Sequence, residues 1–226
     1  MLEDTDIYRK GYPGKRDDLS KEKNWLFYSN SIPYEPNGIL IDELHRDWAV
    51  DYDTLERRHD YIQWLFPIRE SGINWRAQEL QLHEAKKIKE NKNAKDRVLK
   101  SYRIMLGFYG IKSDNEGKLL KYADNWSERA SHLNRSRHNH LRITRILKSL
   151  GELGFEDLKK PFIDFILKEI FESKLLWYTF ESCKNYWIQV LKNDEERNKC
   201  LSSLEKYAKG SQEKRSYKKS KRTTYV

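Results

Sequence analysis

Apolar residues recur at three- and four-residue spacing along most of this chain, a rhythm that predicts helices rather than strands. It is clearest over residues 94–109, where Val98, Leu99, Tyr102, Met105, Leu106 and Tyr109 share a side and Gly110 offers a natural end. Over residues 139–150, Ile143, Ile146, Leu147 and Leu150 form one stripe. His138, Arg142, Arg145 and Ser149 form another, and Gly151 and Gly154 mark the end. Pro161 suits a first helical turn, and Phe162, Phe165, Ile166, Ile170 and Phe171 follow at helical intervals. Further helices are expected over 21–30 with Ser20 as N-cap, 42–48, 51–65, from Leu82, 119–153 with a break near 131–139, 173–191 and 195–208.

Three stretches break the rhythm. Residues 1–20 are charged, contain Gly11, Pro13 and Gly14, and read as a flexible leader. Residues 66–80 read as an irregular loop holding Ile73 and Trp75. Apolar groups in a loop need a pocket, so this loop is expected to pack across the domain. The tail over 210–226 is expected to be disordered. The resulting organisation is all-α: a single irregular multi-helix bundle over 21–209, flanked by the leader and a basic tail.

Composition supports a sizeable core. The 226 residues include 7 Trp, 14 Tyr and 8 Phe, with only 10 Gly and 5 Pro, which disfavours a turn-rich β architecture. The formal net charge is +9. Lys214, Arg215, Lys218, Lys219, Lys221 and Arg222 against Glu213 place over half of that excess in the tail, so the body is only mildly basic. Cys183 and Cys200 lack CxxC spacing and read as reduced thiols. The polar N-terminal stretch lacks the apolar region of a secretory signal, and no segment has the length and apolarity of a membrane span, so the chain is expected to be intracellular.

The run from His59 to Pro67 (HDYIQWLFP), followed by Asn74-Trp75, resembles the hallmark of the opioid growth factor receptor conserved domain. So does the run from Ser136 to Gly154 (SRHNHLRITRILKSLGELG), with supporting likeness around Trp25–Tyr28 and Tyr102–Gly110. The resemblance covers roughly residues 22 to 207. It implies an all-helical, non-enzymatic domain and, for vertebrate members, binding of the pentapeptide Met-enkephalin and restraint of cell proliferation. It also implies residence in nucleus and cytoplasm, including the nuclear envelope. The vertebrate receptor continues into acidic repeats, where this sequence runs into its basic tail.

Two clusters are candidates for binding. Tyr61, Trp64, Phe66 and Trp75 could line a groove for the Tyr and Phe rings of an opioid-type peptide, with Glu70, Asp60 or Glu79 facing its amino terminus. The same pattern also fits burial of the aromatics, with Gln63 and Asn74 tying down the loop. Arg137, His138, Arg142 and Arg145 could hold an anion or acidic partner, or simply form a solvated face. With the tail, that stripe gives the alternative of a nucleic-acid or chromatin adaptor. Lys218, Lys219, Lys221 and Arg222 make a nuclear import signal candidate, and Thr224-Tyr225-Val226 matches a ligand for PDZ domains. His138 and His140 point in different directions on a helix, so no zinc site is expected. No catalytic or cofactor-binding motif is present, and no cofactor is implied.

Overall fold

The computed structural model describes residues 2–114, 117–122 and 124–207. In chain order the helices are α1 (Leu2–Arg9), α2 (Lys23–Tyr28), α3 (Ile41–Asp47), α4 (Tyr52–Arg57), α5 (Ile62–Leu65), α6 (Leu82–Glu90) and α7 (Lys92–Phe108). A hairpin of β1 (Ile111–Ser113) and β2 (Leu119–Lys121) leads to α8 (Trp126–Arg135), α9 (Arg137–Glu152) and α10 (Lys159–Phe171). The chain is helical again, in mixed geometry, from Trp177 to Val190, and over 194–207. The architecture is α, as expected, with one small antiparallel sheet added.

Local chemistry sets several boundaries. Asn91 caps α7 by accepting from the Ala94 N–H at 2.9 Å. The helix closes at Gly110, whose φ of 79° a side chain would resist. The apolar stripe of α7 is buried as its spacing predicts, including Val98, Tyr102, Met105 and Leu106. Each such side chain contributes roughly 1.5–3 kcal/mol of burial. Two aromatic groups organise the interior. Trp48 stands edge-on to Tyr34 and Tyr61, and Trp64 to Phe27. Farther along, Trp126 meets Phe165, and Trp187 meets Phe162 and His140. Cys183 and Cys200 are free, buried thiols.

Several expectations are corrected. The first residues are not a flexible leader: α1 packs against the segment ending at Val190, and Tyr8 is fully buried. Ser20 does not cap α2. Its hydroxyl donates to Asp18 Oδ1, and the start of α2 is capped instead by the buried carboxylate of Glu84 on α6. Glu84 Oε1 accepts from the N–H groups of Asn24 and Trp25 at 2.8 and 3.2 Å. The helix expected over 51–65 is split, because Arg58 turns extended between α4 and α5. Residues 119–121 are a strand rather than a helix start. Asp114 Oδ1 accepts from the Lys118 N–H at 2.8 Å, which forms the turn that pairs Ser113 with Leu119 and Ile111 with Lys121. Ile73 and Trp75 fill no pocket: they are 100% and 79% exposed.

Candidate functional site

The proposed aromatic peptide groove is not assembled. Tyr61, Trp64 and Phe66 are core residues at 0–1% exposure, so none of them presents a ring to solvent. The Tyr61 hydroxyl donates to the carbonyl of Leu55 at 2.9 Å. Glu70 lies elsewhere, in a shallow cleft of 370 Å³, paired with Lys148 at 2.7 Å and accepting from the Tyr12 hydroxyl. Trp75 projects outward with the Arg76 guanidinium 4.3 Å from its ring. Asn74 does tie the loop, donating from Nδ2 to Asp60 O at 3.0 Å. With its amide oxygen turned toward the backbone, Gln63 accepts from the N–H groups of Asn74 and Ile73.

The basic stripe of α9 also points inward. The Arg142 guanidinium donates to the carbonyls of Leu55, Glu56 and Arg58. Arg145 Nε donates to Phe66 O at 2.8 Å, and burial pushes its guanidinium down to about 10. Lys148 is 2% exposed and pairs with Asp4 and Glu70. His138 and His132 both approach the Glu56 carboxylate, at 2.8 and 3.1 Å. These cations are engaged with carbonyls and acids of the same domain. Arg137 alone of the stripe is exposed and has no carboxylate partner among the described residues. The tail candidates Lys218, Lys219, Lys221, Arg222 and Thr224–Val226 lie outside the described residues.

The strip of α9 that remains outside, Arg137, Leu141 and Thr144, faces a groove of about 830 Å³. Its opposite wall is Trp177, Tyr178, Phe180, Glu181, Ser182 and Tyr186, and Asn134 and Arg135 from α8 close one end. Lys174, at φ 60°, turns the chain out of α10. The segment then runs through a 3-10 turn (Trp177–Thr179), an α turn (Phe180–Ser182), a π turn (Cys183–Trp187) and a second 3-10 turn (Ile188–Val190). This mixed winding takes the place of the plain helix expected over 173–191. It buries Cys183 and Trp187 while leaving Trp177 and Tyr178 at 42% and 72% exposure. Trp177 stacks on Phe180 with centroids 5.7 Å apart.

Polar bonds fix both walls. Asn134 Oδ1 accepts from the Tyr178 N–H at 2.8 Å. His140 sits beneath, with Nε2 on the carbonyl of Leu133 at 2.9 Å and Nδ1 on the Ser182 hydroxyl at 3.0 Å. The carbonyl can only accept, so Nε2 carries the proton and Nδ1 accepts from Ser182. Burial lowers the His140 pKa, which keeps the ring neutral. Asn185 Nδ2 donates to Glu181 Oε2 at 3.0 Å and holds that carboxylate at the rim. The groove thus offers aromatic walls, an acid, and the guanidinium groups of Arg135 and Arg137. Its sequence signal was the aromatic density of Trp177, Tyr178, Phe180, Tyr186 and Trp187, which at helical spacing reads as ordinary core.

Residues 17–222 match the family model described as the opioid growth factor receptor (OGFr) conserved region. Opioid growth factor receptor-like protein 1 of Mus musculus is 44% identical over 205 residues, covering 88% of this chain and 44% of that protein. The opioid growth factor receptor of Mus musculus is 40% identical over 204 residues, covering 88% and 32% respectively. The Homo sapiens receptor is 40% identical over 197 residues, covering 86% and 29%. The chain therefore spans less than half the length of these curated relatives. No solved structure matches it. With its α architecture and a match over nearly its whole length, the chain belongs to the opioid growth factor receptor conserved-region family.

Proposed function

We propose that this domain is a non-catalytic peptide receptor whose ligand lies in the groove between α9 and the Trp177–Tyr186 wall. One observation carries the reading: exposed aromatic rings stand in a single groove with a carboxylate, Glu181, and two guanidinium groups. A short zwitterionic peptide with aromatic side chains has the complementary set of groups. Met-enkephalin is such a peptide, with a Tyr and a Phe ring, an ammonium and a carboxylate, and an extended reach of about 17 Å. The groove volume is in the range of small-ligand sites. Relatives named opioid growth factor receptor support the choice of peptide. Both nitrogens of His140 are engaged within the protein, which suits positioning rather than proton transfer. Restraint of cell proliferation and residence in nucleus, cytoplasm and nuclear envelope belong to the same proposal; fluorescence imaging of the tagged chain tests the placement.

Titration calorimetry with Met-enkephalin and a scrambled peptide of the same composition tests the binding role. Saturable heat with the first and a much weaker response to the second are expected. Absence of saturable heat from folded protein rejects the peptide role.

A further inference from the structure

The inward charges of α9 are matched within the domain: Arg142 and Arg145 by carbonyls, Lys148 by Asp4 and Glu70. The charges of the groove are not. Arg135, Arg137 and Glu181 line it, all three are exposed, and none has an ionic partner among the described residues. Arg135 donates from Nε and Nη2 to the carbonyl and hydroxyl of Ser131 at 3.2 and 3.0 Å, which braces the guanidinium and leaves Nη1 for a ligand. Glu181 is braced through Oε2 by Asn185, which leaves Oε1. These charges are also segregated along the groove. The Tyr178 N–H bonds to Asn134 Oδ1, and the Ser182 hydroxyl bonds to His140 Nδ1, so the aromatic wall runs in the same direction as α9. Arg135 and Arg137 therefore stand at the end marked by Asn134 and Tyr178, and Glu181 stands farther along, beside Ser182. The exposed rings of Trp177 and Tyr178 lie at the guanidinium end.

We infer that the groove reads a free C-terminus. Arg135 and Arg137 hold the α-carboxylate of the peptide, Trp177 and Tyr178 pack the apolar or aromatic side chains next to it, and the chain leads back toward Glu181. This inference rests on the peptide-receptor reading and adds the direction of the ligand and the end it must expose. Two physical reasons carry it. A carboxylate accepts two parallel bonds from the fork of a guanidinium, and a charge-assisted bond of this kind is roughly twice as strong as a neutral one. The reverse direction sets the peptide carboxylate against Glu181 and its ammonium against two guanidinium groups, and both placements are repulsive. An acidic side chain within a longer segment has the same charge, but its chain must continue past Asn134 and Arg135, which close that end.

The test is titration calorimetry on the full chain with Met-enkephalin, its C-terminal amide and its N-acetyl form. Native protein should bind the amide at least ~10-fold more weakly than the free acid, the loss expected for one charged hydrogen-bonding partner. In Arg135→Gln/Arg137→Gln, changed at two exposed positions, acid and amide should bind alike. Glu181→Gln should weaken both forms and keep the acid-to-amide ratio, while erasing the loss that N-acetylation causes in native protein. Circular dichroism melts establish that the variants fold, and the comparison of acid with amide on native protein needs no variant. Equal binding of acid and amide by native protein overturns the inference and leaves the peptide role standing. A preference for the acid that survives both arginine substitutions overturns it in the same way. Absence of saturable heat with all three forms rejects the peptide role, and the inference with it.

Discussion

Arg142 closes the end of a helix 87 residues earlier in the chain: its Nη1 donates to the carbonyl of Leu55 at 3.0 Å. Nη2 reaches the carbonyl of Arg58 at 2.7 Å and that of Glu56 at 3.3 Å. Helix ends leave carbonyls without intrahelical partners. Here one buried guanidinium collects those of α4 and thereby frees the chain to turn toward α5. The Tyr61 hydroxyl shares the Leu55 carbonyl, so the two family-like runs, 59–67 and 136–154, are joined through this point.

Replacing Arg142 by Met should therefore cost about 2–4 kcal/mol, since buried carbonyls lose a charged donor. Arg142→Lys should recover little, because an ammonium cannot span three carbonyls in a planar fork. Urea unfolding followed by circular dichroism measures both.

Trp64 and Trp75 should separate cleanly. Trp64→Ala empties a site in the core and should cost about 3–5 kcal/mol. Trp75→Ala alters an exposed loop and should shift stability by less than about 0.5 kcal/mol. Comparable losses in the two melts would contradict the burial described for them.

Stability should fall on mild acidification through His45. This ring is 1% exposed, and desolvation lowers its pKa to about 4. The unfolded chain protonates it near pH 6.5, whereas the native ring stays neutral until about pH 4. Between those values unfolding takes up a proton, so the stability present above about pH 6.5 is lost as pH falls. The full difference is up to about 3 kcal/mol. His45→Gln should flatten the denaturation midpoint across that window.

Binding of Met-enkephalin should depend on the groove and not on the Trp75 loop. Tyr178→Ala and Arg137→Glu, both at exposed positions, should each weaken binding by at least ~10-fold, about 1.4 kcal/mol, with melting unchanged. Trp75→Ala should bind like the native chain. Calorimetry on the three variants assigns the site: loss with Trp75→Ala alone would move it to the loop.

Much of this arrangement is legible in periodicity. The apolar faces of α7, α9 and α10 are the ones buried, because a side chain's neighbours along a helix follow from its spacing. Periodicity could not show that α9 is buried on its charged side as well. Arg142, Arg145 and Lys148 reach carbonyls and an acid more than seventy residues away, which spacing along α9 does not reveal. The groove was hidden for the reverse reason. Aromatics at helical spacing imply core, and only the 3-10 and π turns of 177–190 rotate Trp177 and Tyr178 out while Trp187 stays in.

The sequence by itself determined that this chain is helical, aromatic-cored and of the opioid growth factor receptor type, because those properties reside in residue spacing and in long local runs. The tertiary structure decided which charges are free, which aromatics meet solvent, and that α1 docks rather than trails. Those outcomes depend on the sum of distant contacts, and a side chain's burial is fixed by what packs over it, not by its neighbours in the chain.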